Sequence, residues 1–261
     1  MRIATWNLNS VTARLPRLLQ WLEESSPDVL CVQETKVAAD KFPEAEVAAL
    51  GYEVAHHGQG RWNGVGIISR VGITDVVKGF DQCPGFPDPD TQEARAIAAT
   101  CGPLRIWSLY VPNGRTPQDP HYLYKLEWLK GLSGTLATDV QGERPFAVVG
   151  DFNIAPTDDD VWDPAQFVDS THVTAPERAA LQQLLDLGLH DVFPRPLKGD
   201  HPFSYWDYRA GSFHKGWGMR IDLVYANAAL QKAVTDAYVD RDARKGKGPS
   251  DHAPVVVDTS L

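Results

Sequence analysis

A carboxylate and a carboxamide follow an apolar run in Pro145-Phe146-Ala147-Val148-Val149-Gly150-Asp151-Phe152-Asn153-Ile154-Ala155-Pro156. The run at 146–149 contains two β-branched valines between Pro145 and Gly150, which is typical of a short strand buried on both faces. Asp151 and Asn153 lie two positions apart, so their side chains point the same way if the strand geometry continues. Polar groups at the end of a buried strand commonly build a site, but Asp and Asn also favour turns. This stretch alone leaves both interpretations open.

Length and composition predict a chain with a sizeable core. Its 261 residues, 43% of them hydrophobic, suit one large domain or two small ones, and no linker separates two units, so we expect one domain over residues 1–261. No apolar run reaches about 18 residues, and the beginning of the chain lacks a signal-peptide pattern, so we expect no membrane association. The three cysteines (Cys31, Cys83, Cys101) show no metal-type spacing, which fits a reducing cytoplasm.

The net charge of −9 argues against a protein that coats nucleic acid without specificity. It does not exclude a nuclease, because a carboxylate cluster that holds a metal lowers the net charge, and DNA binding needs only a local basic surface. Two segments offer such a surface. They contain Arg209, Lys215 and Arg220 in the first, and Arg241, Arg244, Lys245 and Lys247, opposed only by Asp242, in the second.

Hydrophobic periodicity predicts a strand–helix–strand order twice, at residues 1–34 and again around 104–153. Two similar halves with helices outside indicate two packed sheets. Apolar residues at helical spacing predict helices at 13–24 and 121–132, and the capping-box pattern Thr174-Ala175-Pro176-Glu177 opens another. We also expect a short helix at 43–50. The predicted strands cover 1–9, 28–33, 52–56, 64–69, 95–100, 104–111, 145–149, 220–225 and 253–258.

Polar side chains stand at the edges of most of these strands. If the sheets pack face to face, the strand ends converge at one rim, and the acids among them are costly together unless a cation neutralises them or some are protonated. Oxygen ligands with one histidine and no paired cysteines favour Mg²⁺ or Mn²⁺ over zinc. Glu34 is the best single metal candidate, and Asp251 and Asn7 are helpers. The strand-end residues are Asn7, Glu34, Tyr110, Asp151, Asn153, Asp222, Asp251 and His252.

Asp222 and His252 each lack something that the other supplies. Asp222 lies within an apolar strand, where a lone carboxylate is expensive to bury. His252 needs an orienting acid before it can serve as a polarised donor or a base. We therefore expect the two to pair. The alternatives are a turn histidine for His252, and an edge-strand position or an arginine ion pair for Asp222.

Aromatic and basic residues alternate between Phe203 and Arg220, which suits stacking on nucleotides and holding phosphates. The alternative is a small hydrophobic cluster under a long loop, and Phe203 and Trp206 are the expected core members. Arg115 and Lys125 follow the strand-end residue Asn113. They are either phosphate contacts or solvated charges.

Together these motifs resemble the exonuclease III family of apurinic/apyrimidinic (AP) endonucleases, within the endonuclease/exonuclease/phosphatase superfamily. The resemblance covers nearly the whole chain, and it is the order and spacing of the motifs that make it specific. The matching stretches are Trp6-Asn7-Leu8-Asn9, Gln33-Glu34-Thr35-Lys36, Tyr110-Val111-Pro112-Asn113-Gly114, Gly150-Asp151-Phe152-Asn153, Ser204-Tyr205-Trp206-Asp207-Tyr208-Arg209, Arg220-Ile221-Asp222 and Ser250-Asp251-His252.

The resemblance implies an α/β fold, a four-layer α/β sandwich of two packed mixed β-sheets flanked by helices. It implies Mg²⁺-dependent hydrolysis of the phosphodiester 5′ to abasic sites in duplex DNA, with 3′→5′ exonuclease and 3′-end-cleaning activity and Mn²⁺ as a possible substitute. A bacterial, cytoplasmic, nucleoid-associated monomer acting on abasic or 3′-blocked DNA is expected, since no long basic extension precedes the motifs.

The resemblance also implies a role for each site residue. The catalytic residues would be Tyr110, Asp151, Asn153, Asp222 and His252. The metal ligands would come from Asn7, Glu34, Asp151, Asn153, Asp251 and His252. The substrate would be bound by Asn113, Arg115, Lys125, Tyr205, Arg209, Met219 and Arg220.

Three questions stay open at this point. The proton of the attacking water could pass to Asp151 or to His252. Met219 replaces an aromatic residue seen in some relatives at the expected sugar pocket, which leaves the balance of endonuclease and exonuclease activity undecided. Two other functions also compete: a phosphatase for lipid or inositol phosphates, which the loop at 208–220 argues against, and a binding protein with a dead site, which the complete set of acids argues against.

Overall fold

The computed structural model describes residues 1–261, and two β-sheets packed face to face form its centre. The strands are β1 Arg2–Asn7, β2 Val29–Gln33, β3 Glu53–His57, β4 Val65–Ser69, β5 Thr74–Lys78, β6 Ala96–Cys101, β7 Leu104–Tyr110, β8 Phe146–Asp151, β9 His190–Asp191, β10 Arg195–Pro196, β11 Asp222–Ala226, β12 Val234–Val239 and β13 Val255–Thr259. The helices are α1 Val11–Ser25, α2 Glu44–Ala48, α3 Pro120–Val140, α4 Ala175–Asp186, α5 Ser212–Lys215 and α6 Ala228–Ala233.

Each sheet has one parallel pair near its centre among antiparallel neighbours, and at one edge of the seven-stranded sheet the two-residue strand β10 also pairs in parallel with β12. The seven-stranded sheet has the order β10-β12-β13-β1-β2-β4-β3, and the six-stranded sheet has the order β5-β6-β7-β8-β11-β9. β1 pairs in parallel with β2 across helix α1, and β7 pairs in parallel with β8 across helix α3. These are the two strand–helix–strand units that the sequence predicts, and both sheets are mixed, as expected.

Three hydrophobic clusters fill the spaces between four layers. The largest lies between the sheets and includes Val29, Ile106 and Val149. A second joins the six-stranded sheet to α3 and α4, and a third joins the seven-stranded sheet to α1. Phe203 and Trp206 belong to the cluster between the sheets, and the buried free Cys31 does too, so these three core predictions are confirmed. The four-layer α/β sandwich is also confirmed.

The strands and helices that sequence periodicity misses lie at the periphery. Strand β5 is exposed along its whole length, and β9 and β10 are two residues each, so none of them carries an alternating pattern. β12 and α6 were not expected either. Helix α3 continues to Val140, eight residues beyond the predicted end, because apolar residues such as Leu136 keep facing the sheet.

The glycine at the end of β8 allows that strand to approach β7 very closely. Gly150 has φ 143° and pairs with Leu109, and a Cβ atom there would overlap the Leu109 backbone carbonyl. A side chain at this position would force β7 and β8 apart. Gly150 therefore sets the position of Asp151, the last residue of β8. No helix of the chain combines the length and the apolar composition needed to cross a membrane.

Candidate active site

Strands from both sheets begin or end at one rim, and this brings the polar strand-end residues together. Asn7, Tyr110 and Asp151 are the last residues of β1, β7 and β8, and Asp222 is the first residue of β11. The register pairs Asp151 with Asp222 on one side and with Tyr110 on the other. The convergence that the sequence predicts is confirmed because parallel strands end at this rim and their antiparallel neighbours begin there.

Asp151 is almost completely buried, and both of its carboxylate oxygens accept hydrogen bonds. Oδ2 accepts one from the Asn7 side chain at 2.9 Å, and Oδ1 accepts one from the backbone N–H of Asn153 at 2.9 Å. Asn153 can reach back in this way because its own φ is 52°, in the left-handed region. The carboxylate is thus fixed from two directions, and the expected pair of Asp151 and Asn153 forms through the backbone of Asn153.

His252 and Asp222 form the expected pair. The ring Nδ1 lies 2.8 Å from Asp222 Oδ2, and the same oxygen accepts a hydrogen bond from the Ser204 hydroxyl at 2.6 Å. This leaves Nε2 facing Asp151, 3.8 Å from its Oδ2. The Tyr205 ring packs against the histidine with ring centroids 4.9 Å apart, so the imidazole is held on its face as well as on its edge.

Glu34 follows strand β2 with a φ of 49° and points toward Asp151. The Asn7 side-chain amide donates to Glu34 Oε1 at 2.8 Å as well as to Asp151, so one neutral group bridges two carboxylates. Glu34 Oε2 accepts a charged hydrogen bond from Lys36 at 2.8 Å. Asn7 therefore acts as a bridging donor, and its carbonyl oxygen already accepts the backbone N–H of Asn9. This arrangement does not place it as the oxygen ligand that the sequence predicts.

The proximity of these buried groups shifts their pKa values. Burial, together with the charges of Asp222 and Glu34, raises the pKa of Asp151 to about 7. Burial alone would lower the pKa of His252, but the carboxylates of Asp222, Asp151 and Asp251 raise it to about 10. Burial also acts against the charge of Glu34, but Lys36 and Asn7 hold the pKa of Glu34 below its ordinary value. The site therefore favours a protonated imidazole between carboxylates.

Glu34, Asp151 and His252 form a close group that fits a divalent cation, which the two carboxylates would hold, because a protonated imidazole has no lone pair to offer a metal. Their ligand atoms all lie within 4.8 Å of one another, and all three residues are buried or half-buried. Carboxylate oxygens are the ligands that Mg²⁺ and Mn²⁺ prefer, and a cation would offset the like charges of Glu34 and Asp151. Asp251 lines the same cavity as these three residues but is not a member of the close group, and its Oδ1 accepts a hydrogen bond from Asn9 at 3.1 Å. Asp251 therefore reaches the cavity, as the sequence predicts, but lies outside the group whose ligand atoms are within 4.8 Å of one another.

Asn153, Asn113 and Tyr110 line the cavity that also contains Glu34, Asp151 and His252. We call it the catalytic cavity, and its volume is about 250 Å³. The Asn113 side chain donates to Asn153 Oδ1 at 3.1 Å, and Asn153 Nδ2 donates to the Val111 carbonyl at 3.0 Å. Asn153 therefore has both ends of its amide engaged, which does not suit it as a metal ligand. Arg95 stacks on the Tyr110 ring at 4.8 Å, and burial raises the pKa of the Tyr110 hydroxyl, which keeps it a donor.

The structure contradicts the expected phosphate contact of Lys125. Its side chain is completely buried and forms an ion pair with Glu177 at 2.5 Å. Its ammonium also donates to the backbone carbonyls of Asn113 and Asn153, so it lies beneath the cleft and not in it. The sequence alone does not reveal this ion pair, because Glu177 lies 52 residues from Lys125 along the chain.

Arg220 is likewise buried and cannot reach a phosphate. Its guanidinium contacts Asp160 at 2.6 Å and Asp191 at 3.0 Å. The expected basic surface shrinks further because Arg244 is buried and bonded to the carbonyls of Ser250 and Trp206. The arginines of the 203–244 region thus serve mostly to fix the fold.

A wider cleft of about 570 Å³ adjoins the catalytic cavity. The two share Tyr205, Met219, Asn113 and His172 as lining residues. The exposed side chains of Arg115 and Arg209 line the wider cleft, as expected for substrate-binding residues, although each has a neighbouring acid within 3.5 Å. The stacked rings of Trp162 and Trp217, 4.7 Å apart, form part of its wall.

Sequence reasoning missed Asn9, Lys36 and His172 as cavity residues. Asn9 and Lys36 each lie two positions beyond a predicted site residue, so their place just after a strand end, within motifs that the sequence displays, is the signal that could have found them. His172 has no such signal. It lies in the long loop before α4, has a φ of 82°, and bonds through Nδ1 to the Asn153 carbonyl.

Comparisons with known proteins agree with this geometry. The sequence pattern of the "Endonuclease/Exonuclease/phosphatase family" matches residues 4–252. The exodeoxyribonuclease III of Haemophilus influenzae is 30% identical over 271 residues, covering 98% of each chain. A 3′-5′ exonuclease (NExo) of Neisseria meningitidis has a TM-score of 0.94 at 36% identity, and an AP endonuclease of Archaeoglobus fulgidus has a TM-score of 0.92 at 35% identity, each covering 100% of both chains.

These matches span the whole site, from β1 to the segment that carries His252. They also agree with the family that the order of the sequence motifs indicates. The chain therefore belongs to the endonuclease/exonuclease/phosphatase family, as a DNA-repair nuclease of the exonuclease III type.

Proposed function

We propose that this chain is a divalent-metal-dependent repair nuclease that hydrolyses the phosphodiester 5′ to abasic sites in duplex DNA, with 3′→5′ exonuclease and 3′-end-cleaning activity. The observation that carries the proposal is the close group of Glu34, Asp151 and His252 beside an open cleft. The names of the relatives support both kinds of activity. They include an AP endonuclease, a 3′-5′ exonuclease and a 3′ phosphatase that was solved with a product DNA hairpin.

Glu34 and Asp151 are the residues that would hold Mg²⁺, with Mn²⁺ as a possible substitute. The bound cation would polarise the phosphate and stabilise charge on the leaving 3′ oxygen. The hydrogen bonds from Asn7 keep both carboxylates aimed at the same point. Lys36 offsets part of their charge from outside the close group.

Asp151 is the proposed acceptor of the proton from the attacking water. Its two oxygens are fixed by Asn7 and by the Asn153 backbone, which sets the direction of attack. His252 suits the opposite role, because carboxylates on both sides favour the protonated ring. With Nδ1 bonded to Asp222, its Nε2–H would donate to the phosphoryl oxygen, where charge accumulates in the transition state. Tyr110 would donate to the same group of oxygens through its hydroxyl, and Asn153 through the second hydrogen of Nδ2, since only one is donated to the Val111 carbonyl.

The adjoining cleft is the proposed path of the DNA. Arg115, Arg209 and Asn113 would hold the flanking backbone, while Tyr205 and Met219 would form the wall against an extruded sugar. Lys125 and Arg220 have no part in this contact. We propose a cytoplasmic, nucleoid-associated monomer acting on duplex DNA with abasic or 3′-blocked ends.

One experiment tests the proposal. A labelled duplex with a single abasic site, and a second duplex with a 3′-phosphate end, are incubated with the enzyme in Mg²⁺, in Mn²⁺ or with chelator, and the product ends are mapped. We expect a cut on the 5′ side of the abasic site and removal of the 3′ block, both abolished by chelator. Phosphoinositide serves as the control substrate. Its hydrolysis without any cleavage of DNA would overturn the proposal.

A further inference from the structure

Lys125 and Glu177 form an ion pair that is completely enclosed beneath the cleft. Lys125 lies on α3, Glu177 lies in the first turn of α4, and their charged atoms are 2.5 Å apart. A buried ion pair is often no more stabilising than apolar residues of the same volume. The stability of the fold alone therefore does not account for this pair.

The three hydrogens of the Lys125 ammonium all have partners. One is donated to Glu177, one to the Asn153 carbonyl at 2.7 Å, and one to the Asn113 carbonyl at 3.1 Å. Asn153 lies shortly after the end of β8, and Asn113 lies shortly after the end of β7. Both residues line the catalytic cavity. The ammonium thus fixes the backbone of two cavity residues from below.

Glu177 connects the third segment of the cavity wall. Its Oε1 also accepts hydrogen bonds from the Thr171 hydroxyl at 2.7 Å and from the His172 backbone at 3.0 Å, while Oε2 caps α4 through Thr174. Asn153 and His172 both have left-handed backbone conformations, with φ of 52° and 82°. Such conformations persist only where the surroundings hold them.

We propose that the Lys125–Glu177 pair is a positioning device for phosphodiester hydrolysis. It holds the backbones of Asn113, Asn153 and His172 so that their side chains meet the substrate in register. The inference rests on the proposed function. Neither member of the pair touches the substrate, so both are positioning residues, and their loss affects turnover through the loops that they hold. Misplacing a catalytic group by about 1 Å can slow a reaction by about 100-fold.

Three variants separate positioning from plain stability. Lys125→Met leaves the Glu177 carboxylate buried and uncompensated, so its Tm should fall by roughly 10 °C. The double variant Lys125→Met/Glu177→Gln removes both charges and should recover part of that Tm. Leu184→Ala is the matched control, because it opens a cavity under the same helix, α4, without touching the pair.

Turnover and KM are measured for each variant on the abasic and 3′-phosphate duplexes, well below the lowest Tm. We expect kcat to fall by about 10- to 100-fold in both Lys125 variants, with KM nearly unchanged, and to stay at the wild-type value in Leu184→Ala. The double variant carries the test even if Lys125→Met does not fold.

A double variant that regains wild-type kcat together with its Tm would overturn the inference. An equal loss of kcat in Leu184→Ala would do the same, since any destabilisation would then suffice. A wild-type enzyme that cleaves neither duplex would instead overturn the proposed function, and the inference with it.

Discussion

The hydrogen bond between His252 and Asp222 determines what the imidazole can do. Asp222 Oδ2 lies 2.8 Å from Nδ1, and the charge of Asp222 is the main influence that raises the pKa of His252 to about 10. A group with a raised pKa keeps its proton up to that pH and loses it above. The protonated donor should therefore persist across the neutral and mildly alkaline range.

Asp222→Asn should remove this protection. The pKa of His252 then falls toward its ordinary value, so the alkaline limb of the kcat profile moves to lower pH, and kcat near neutral pH drops by about 100-fold or more. The pH dependence of kcat on the labelled duplex measures this. Because the change also leaves the buried imidazole without its carboxylate partner, the Tm should fall below that of the wild type, so kcat is measured well below the Tm of the variant. An unmoved alkaline limb would contradict the role of Asp222.

In the proposed metal site, Glu34 is the residue on which the affinity for Mg²⁺ should depend most. Glu34→Ala removes one of the two carboxylates in the close group and leaves Lys36 without its acid. The Mg²⁺ concentration for half-maximal activity should rise sharply, by about 10-fold or more, because the metal loses a charged ligand. A Mg²⁺ titration of initial rates measures the shift. Asp251→Ala is the matched control and should shift less, since Asp251 lies outside the group.

At the scale of elements, helix α3 shows how tightly the outer layer packs against the loop that follows β5. Gly131 faces inward, where an added Cβ atom would lie 2.6 Å from the Gln82 carbonyl oxygen, whereas Gly134 is exposed with 3.5 Å of clearance to the Gln82 side chain. Gly134→Ala should stabilise the protein by about 1 kcal/mol, because alanine favours a helix. Gly131→Ala should destabilise it by about 1–3 kcal/mol through overpacking.

Urea unfolding of the two variants measures both effects within one helix. A gain of stability from Gly131→Ala would show that the loop at residue 82 is free to move away. In that case α3 would not be fixed against its surroundings as described, and its hold on Lys125 would be weaker.

The strand ends show why so much of the site follows from the sequence. Asn7, Tyr110, Asp151 and Asp222 each stand at the end of a strand, and strand ends meet at one rim once two packed sheets are assumed. The pairing of His252 with Asp222 followed from the cost of burying a lone carboxylate. These inferences depend only on local pattern and on general energetics, which is why they are confirmed.

Lys125 and Arg220 show where this reasoning stops. Their acids, Glu177 and Asp160, lie 52 and 60 residues away, so no local pattern distinguishes a buried ion pair from a phosphate contact. The peripheral strands β5 and β12 were not predicted from the sequence for a related reason. Their pairing depends on neighbours that are distant in the sequence, and their own exposure pattern is weak.

For the whole molecule, the net charge of −9 and the burial of several arginines limit how strongly DNA can be held. The exposed cationic side chains that line the cleft are Arg115 and Arg209, and Lys215 stacks nearby on Trp217. Three phosphate contacts correspond to a slope of about −3 for log K against log salt concentration. Fluorescence anisotropy of an abasic duplex, in buffer where Ca²⁺ replaces Mg²⁺, measures this slope. A slope steeper than about −6 would indicate a larger basic surface.

In the proposed mechanism Asp151 activates the water that cleaves the phosphodiester, and Asp151→Asn removes this function. The variant keeps the shape of the side chain but cannot take up the proton, so single-turnover cleavage of the labelled abasic duplex should slow by about 1,000-fold or more. Its affinity for the same duplex, measured by anisotropy, should stay close to that of the wild type. Near-normal turnover combined with weakened DNA binding would contradict the proposed role of Asp151 in activating the water.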